Sequence, residues 1–275
     1  MAHMMFEEDR SSAPRAYTAL PDSPDHPDPA EDLKRAIEWC HGQAGGNLRL
    51  IGIQTGSRSD IEDEPLLGLL VRHGASLHVN SRGKVTSLPP GPVLVYRPQP
   101  ETLWQIEEHG APSAIVAVGI TGPSHFRRML ASTKPVGAQP WVSAYLPVHL
   151  GGPVIEPRTP VIPDPVVWEA LKSFTNSINS STGLSHSSDR SVVTEGLMKL
   201  KATGHSYDPD DLLAGALALN WRGSSAVELR DLAREINAGK RKRYRPMLRS
   251  NIVEIWETNA QTAGQRAELA VQPDN

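Results

Sequence analysis

The spacing of apolar positions changes twice along this chain. Between residues 31 and 163, short apolar runs alternate with stretches in which apolar residues recur every three or four positions. Beyond 163 only the second spacing persists, and outside 31–257 neither is present. Short continuous runs predict strands, and the three-to-four spacing predicts amphipathic helices. Over 31–41, Leu33, Ile37 and Cys40 share one helical face, which Gly45-Gly46 ends. Residues 48–54 read as a strand, 60–73 as a helix closed by Gly74, 75–79 as a second strand and 93–96 as a third. A helix over 100–109 stops at Gly110. Residues 113–120 are apolar almost without interruption, as a parallel strand covered on both faces requires. A helix over 123–131 and a last strand over 141–148 complete the series.

Strands alternating with helices of this length build βαβ units and a parallel sheet, with right-handed crossovers placing helices on both faces. The expected fold is therefore α/β, a Rossmann-like open parallel sheet over 31–163, followed by a small all-helical domain over 164–257. Residues 147–163, rich in Gly and Pro, connect the two. Asp164-Pro165 and Asp208-Pro209 each put an N-cap carboxylate before a first-turn proline. Val193, Leu197 and Leu200 give one apolar stripe, and Leu213, Ala216 and Leu217 another. Ser225-Ala226-Val227-Glu228 has the form of a capping box, ahead of Leu229, Leu232, Ala233 and Ile236. Pro246 precedes a final helix with Leu248, Ile252 and Ile255 turned inward.

The ends change the picture. Residues 1–30 are acidic and Pro-rich and read as a disordered tail, in which Met1-Ala2-His3-Met4 looks like a cloning scar. Residues 258–275 read as a second disordered tail. The 39% hydrophobic share fits a chain that is partly unstructured. A single cysteine, Cys40, removes internal disulfides and Cys-rich zinc sites, and its place on an apolar helical face suits a buried, inert thiol. No apolar run approaches the roughly 20 residues that span a bilayer. These features point to a cytoplasmic protein without a membrane partner.

Candidate chemistry falls in two places. In an open parallel sheet, ligands sit at the carboxyl ends of the strands. There Thr55, Ser57 and Arg58 follow the first strand, Arg97 the third, and Thr121 and Ser124 the fourth. Hydroxyls, a guanidinium and helix N-termini suit a small anion, although the same residues serve as ordinary turn and cap chemistry. The first loop lacks the Lys-Ser/Thr of a P-loop, and no G-x-G-x-x-G follows the strand, so no cofactor is expected. His125 is the one candidate acid or base, with no carboxylate near it in sequence. His186 with Asp189, and His205 with Asp208, Asp210 and Asp211, lie where helices begin, and capping explains them without a metal.

The second place is basic. Between residues 222 and 249, nine basic side chains stand against three acidic ones, in a chain whose net charge is −3. Arg230 and Arg234 fall opposite the apolar stripe and lead into Lys240, Arg241, Lys242, Arg243 and Arg245. Such a surface can follow phosphates, with Tyr244 beside it to stack on a base or sugar. A solvated, basic helix end is the alternative.

The segments Asp164-Pro165-Val166-Val167, Asn179-Ser180-Ser181-Thr182-Gly183-Leu184-Ser185-His186-Ser187-Ser188-Asp189, Asp208-Pro209 and Ala218-Leu219-Asn220-Trp221 resemble a pattern found in uncharacterised proteins of actinobacteria. The resemblance implies a bacterial protein and carries no activity over to this chain.

The function expected from these residues is that of a binding protein rather than an enzyme. Its basic helical module contacts nucleic acid through Arg230, Arg234, Lys240, Arg241, Lys242, Arg243 and Arg245, and its α/β domain senses a small anion or mediates assembly. One alternative is a hydrolase or transferase acting on a nucleotide or phosphorylated metabolite in the α/β cleft. Another is an assembly subunit with no ligand.

Overall fold

A computed structural model describes residues 13–20, 29–79, 85, 88, 90–109, 112–120, 137–179 and 183–271. The chain divides into two compact units, Met1–Pro157 and Arg158–Asn275.

The first unit is built on a six-stranded sheet: β1 (Arg15–Ala19), β2 (Gly52–Thr55), β3 (Ser76–Val79), β4 (Pro92–Tyr96), β5 (Ala114–Ile120) and β6 (Val148–Gly151). Every pairing is parallel, in the order β3-β2-β4-β5-β1-β6. Its helices are α1 (Pro29–Gln43), α2 (Ser59–Asp63), α3 (Pro65–Arg72), α4 (Pro100–His109) and α5 (Gln139–Tyr145). Leu33, Ala36 and Cys40 of α1 and Leu67 and Leu70 of α3 pack on Ala16, Ile53, Leu94, Tyr96, Val116 and Val118. Strand side chains alternate between faces, so Tyr17, Val93, Val95, Ile115 and Ala117, all buried, turn to the opposite face.

Several boundaries differ from the sequence expectation for identifiable reasons. Residues 1–30 are not a tail throughout, because Arg15–Ala19 lies between β5 and β6 with all five residues buried. What holds it is a partner 92 positions away: Glu107 on α4 takes Arg15 Nε and Nη2 at 2.8 Å each and Trp141 Nε1 at 2.9 Å. The Arg15 guanidinium also lies 3.9 Å from the Tyr145 ring centroid. A buried charge is tolerated only when paired and hydrogen-bonded, and no local pattern announces such pairing. The helix expected over 60–73 is two, since Pro65 opens α3 behind a Glu64 cap. Residues 48–50 form a 3-10 turn ahead of β2. Of the strand expected over 141–148, Trp141 and Val142 belong to α5, and β6 begins only at Val148. The helix expected over 123–131 lies outside the described residues.

The second unit is helical: α6 (Pro165–Ser177), α7 (Ser187–Ala202), α8 (Pro209–Ala218), α9 (Gly223–Asn237) and α10 (Ile252–Val271). Asp164 accepts Val166 N–H at 2.8 Å and Asp208 accepts Asp210 N–H at 2.7 Å, the caps their positions before Pro165 and Pro209 predict. Leu229, Leu232, Ala233 and Ile236 are buried as a stripe on α9. Gly196, mid-α7, lets Phe174 and Trp256 meet edge to face at a centroid distance of 5.7 Å. A Cβ there would stand 2.4 Å from the Phe174 ring. Two expectations are corrected. Ser225 is not an N-cap, for α9 starts at Gly223 with Arg222 in that position and Ser225 is buried against Gly183. The expected tail from 258 is helical as far as Val271, because Val253, Trp256 and Ala260 bury a stripe that carries α10 past residue 258. No described helix is long and apolar enough to cross a membrane.

Candidate functional site

The carboxyl ends of β2 and β4 form a switch in strand order, since β2 leads to β3 on one side and β4 to β5 on the other. This is where an open sheet receives a ligand. The loop after β2 is closed on itself. Asp60 accepts Ser57 N–H at 3.1 Å and the Thr55 hydroxyl, and the Ser57 and Ser59 hydroxyls are 2.7 Å apart. A carboxylate from the chain thus stands where an external anion would, so Thr55 and Ser57 are already engaged. Arg58 and Arg97 are exposed. Arg97 sits at φ 44°, with its guanidinium 5.1 Å from the Tyr96 ring centroid. Burial pushes the Tyr96 hydroxyl above its ordinary value; Arg97 pulls it down, while Glu64, Asp60 and Asp63 push it further up. This end of the sheet is therefore crowded with carboxylates. Thr121, Ser124 and His125 lie outside the described residues.

The basic segment of the second unit divides into bound and free groups. Arg230, expected on the solvent face, is 7% exposed and pairs with Asp231 at 3.0 Å. Arg234 pairs with Asp210 at 2.7 Å, across to the start of α8. Of these two arginines, Arg234 alone pairs with a carboxylate that opens α8, and Asp211 likewise takes Arg158. Burial lifts the Asp210 and Asp211 carboxyls above their ordinary values, against the pull of Arg234 and Arg158 respectively. Lys240 and Lys242 both reach Glu235, the former at 3.3 Å. These two lysines hold the Glu235 carboxyl below its ordinary value.

What remains is a strap. Residues 240–247 have no regular secondary structure, and from Arg245 to Arg249 the chain is laid along α7 at three points. Ser191 Oγ accepts Arg245 N–H at 3.4 Å, Glu195 Oε2 accepts Met247 N–H at 2.7 Å and Leu248 N–H at 2.9 Å, and Lys199 Nζ donates to the Arg249 carbonyl at 2.7 Å. Ser191, Glu195 and Lys199 are spaced four apart and so line one helical face. Eight residues of helix rise about 12 Å. The strap covers that span between Arg245 and Arg249, at roughly 3 Å per residue, which is extended chain. Ahead of the tied span, exposure alternates: Arg241, Arg243 and Arg245 are exposed, while Lys242 and Tyr244 are partly covered. Among the described residues, the three exposed arginines have no ion-pair partner.

Glu195 is the residue that sequence reasoning missed. It is 3% exposed, its Oε1 lies 3.2 Å from Lys199 Nζ, and its other oxygen takes two backbone amides. Burial alone would raise its carboxyl, but those amides and Lys199 outweigh burial and hold it below its ordinary value. A glutamate inside an apolar helical stripe, between Thr194 and Gly196, was the available signal.

His205 stands between two carboxylates: Nδ1 lies 2.9 Å from Asp164 Oδ2 and Nε2 3.4 Å from Glu257 Oε1. No group of three His, Cys, Asp or Glu side chains among the described residues is placed to hold a metal. A cavity of about 230 Å³ opens beside it, lined by Asp164, Tyr207, Asp208 and Asp211 with Ile162 and Leu212.

The fold and these contacts define a two-unit protein, a parallel α/β layer and a helical unit carrying a pinned basic strap. Residues 163–257, essentially α6 to α9 with the strap and the start of α10, match a family described as a domain of unknown function (DUF1889). No curated protein and no solved structure matches the chain.

Proposed function

We propose that the helical unit is a nucleic-acid-contacting module, and that its phosphate contacts come from Arg241, Arg243 and Arg245. One observation carries this reading: three exposed arginines without ion-pair partners stand at alternate positions on a strap whose backbone is fastened to α7 from Arg245 onward. Guanidinium groups match phosphate geometry with paired donors, and a fastened backbone lowers the entropy lost on binding. Arg230 and Arg234 leave the contact set, and Lys240 and Lys242 are secondary to it, since each of the four already faces a carboxylate. The anion site at the β2 loop is not favoured, because Asp60 fills it.

The test is fluorescence anisotropy of labelled oligonucleotides titrated with the full chain at several salt concentrations, beside Arg241→Ala/Arg243→Ala/Arg245→Ala. Binding that weakens with salt and is lost in the triple variant supports the reading. Equal binding by the variant and the parent ends it.

A further inference from the structure

The reading above leaves open which form of nucleic acid the strap takes. Groove recognition of a duplex generally needs an element that enters the groove and presents donors to base edges. The helix placed to do this is α9, since the strap follows directly from it. Its basic residues are spent: Arg230 is buried against Asp231, and Arg234 is tied to Asp210 and to Asp231 at 3.5 Å. The free charge lies instead on a segment without helix, whose alternating exposure is that of extended chain. Arg241, Arg243 and Arg245 succeed one another at about 6.5 Å, twice the rise per residue of extended backbone. They form a single row about 13 Å long, a line that follows one sugar–phosphate backbone rather than the two that flank a groove. Tyr244 lies between Arg243 and Arg245 in sequence and is partly covered, so phosphate contact by the arginines, not stacking, carries the row.

We infer that the strap binds single-stranded nucleic acid, with Arg241, Arg243 and Arg245 on consecutive phosphates and Glu195 as the residue that positions them. This rests on the reading of the helical unit as a nucleic-acid module. Glu195 touches no ligand. It fixes where the row points by taking the Met247 and Leu248 amides, two and three residues beyond Arg245. Lys199 steadies it from one side and itself takes the Arg249 carbonyl, so one buried carboxylate and one lysine tie both sides of the Pro246–Arg249 stretch to α7.

The experiment measures binding of the full chain to a labelled single strand of about 15 nucleotides and to the corresponding duplex, across a salt series. Three phosphate contacts on a single strand give a log–log slope near −2, which is a loss of about 20-fold between roughly 50 and 200 mM salt. The expected result is affinity for the single strand about tenfold or more above that for the duplex, with the slope falling toward zero in the triple arginine variant. Glu195→Gln is expected to weaken single-strand binding several-fold and to flatten the slope by about 0.7, one contact, with thermal unfolding of the variant recorded alongside. A purely structural role for Glu195 would lower the melting temperature and leave the slope of the folded fraction unchanged. Duplex binding equal to or tighter than single-strand binding overturns the inference and leaves the module reading intact. Absence of binding to either probe at low salt overturns both, as does binding only to vesicles of phosphatidylcholine and phosphatidylserine. Unchanged binding by the triple variant removes the strap as the site.

Discussion

Glu107→Gln probes the contact on which the first unit depends. The side chain is about the same size, so packing is preserved, but the charge opposite Arg15 is removed. Both partners are almost wholly buried, with side chains 3% and 5% exposed, and Glu107 accepts three hydrogen bonds, two from Arg15 and one from Trp141. Breaking one partner of a buried pair costs about 3–5 kcal/mol, because the remaining charge stays desolvated. Against a typical domain stability of about 5–15 kcal/mol, that is a large share. At about 2–4 °C per kcal/mol for a unit of this size, the melting temperature of the first unit falls by roughly 6–20 °C. Peptide-resolved hydrogen exchange assigns the loss, which is expected first at Arg15–Ala19 and the β5 residues beside it. Replacing both partners with apolar residues, Arg15→Met with Glu107→Leu, is expected to recover most of the stability, since no charge is then left unpaired. A Glu107→Gln melting temperature within about 2 °C of the parent would refute the reasoning and leave the insertion of β1 without its physical cause.

Three other predictions follow the titratable groups. Glu195 sits below its ordinary value of 4.5, so its contribution is present above that pH and is lost as pH falls through the lower folded value. Amide protection at Met247 and Leu248 is expected to stay level from neutral pH down to about 4.5 and then to drop, whereas Glu195→Gln shows weak protection at every pH. For His205, burial favours the neutral ring, but the hydrogen bonds to Asp164 and Glu257 outweigh it and raise the group above 6.5. Its contribution is complete below 6.5 and fades as pH rises through the folded value. The stability gap between the parent and His205→Gln, measured by denaturant unfolding, is therefore expected to be larger at about pH 5.5 than at about pH 8.5, and a gap that widens with pH contradicts the geometry. Cys40 is buried and its thiol is pushed up to about 12 by desolvation, so an aromatic disulfide reagent at neutral pH is expected to leave it unmodified until denaturant is added.

Short-range pattern determined much of this protein. The apolar run of β5 announced a strand covered on both faces, Asp164-Pro165 and Asp208-Pro209 announced two helix starts, and residues 240–245 announced a basic segment. Each of these signals is carried by neighbours within a turn or a strand, so the sequence contains it whole. Other features were decided by partners far along the chain. Arg15–Ala19 is short, opens on a charge and follows an acidic stretch, and it is pairing with β5 and β6 and the Arg15 contact with Glu107 that make it a strand inside the sheet. The helical wheel placed Arg230 toward solvent, but it is buried beside Asp231, while Arg234 stays half-exposed and is tied to Asp210 at the start of α8. The row of free arginines became legible only once Lys240 and Lys242 were seen to pair with Glu235 and exposure to alternate from Arg241 to Arg245. Apolar periodicity is local because backbone geometry repeats every two or 3.6 residues. Charge pairing has no such period: it depends on which carboxylate the fold brings within about 4 Å, and only the tertiary structure decides that.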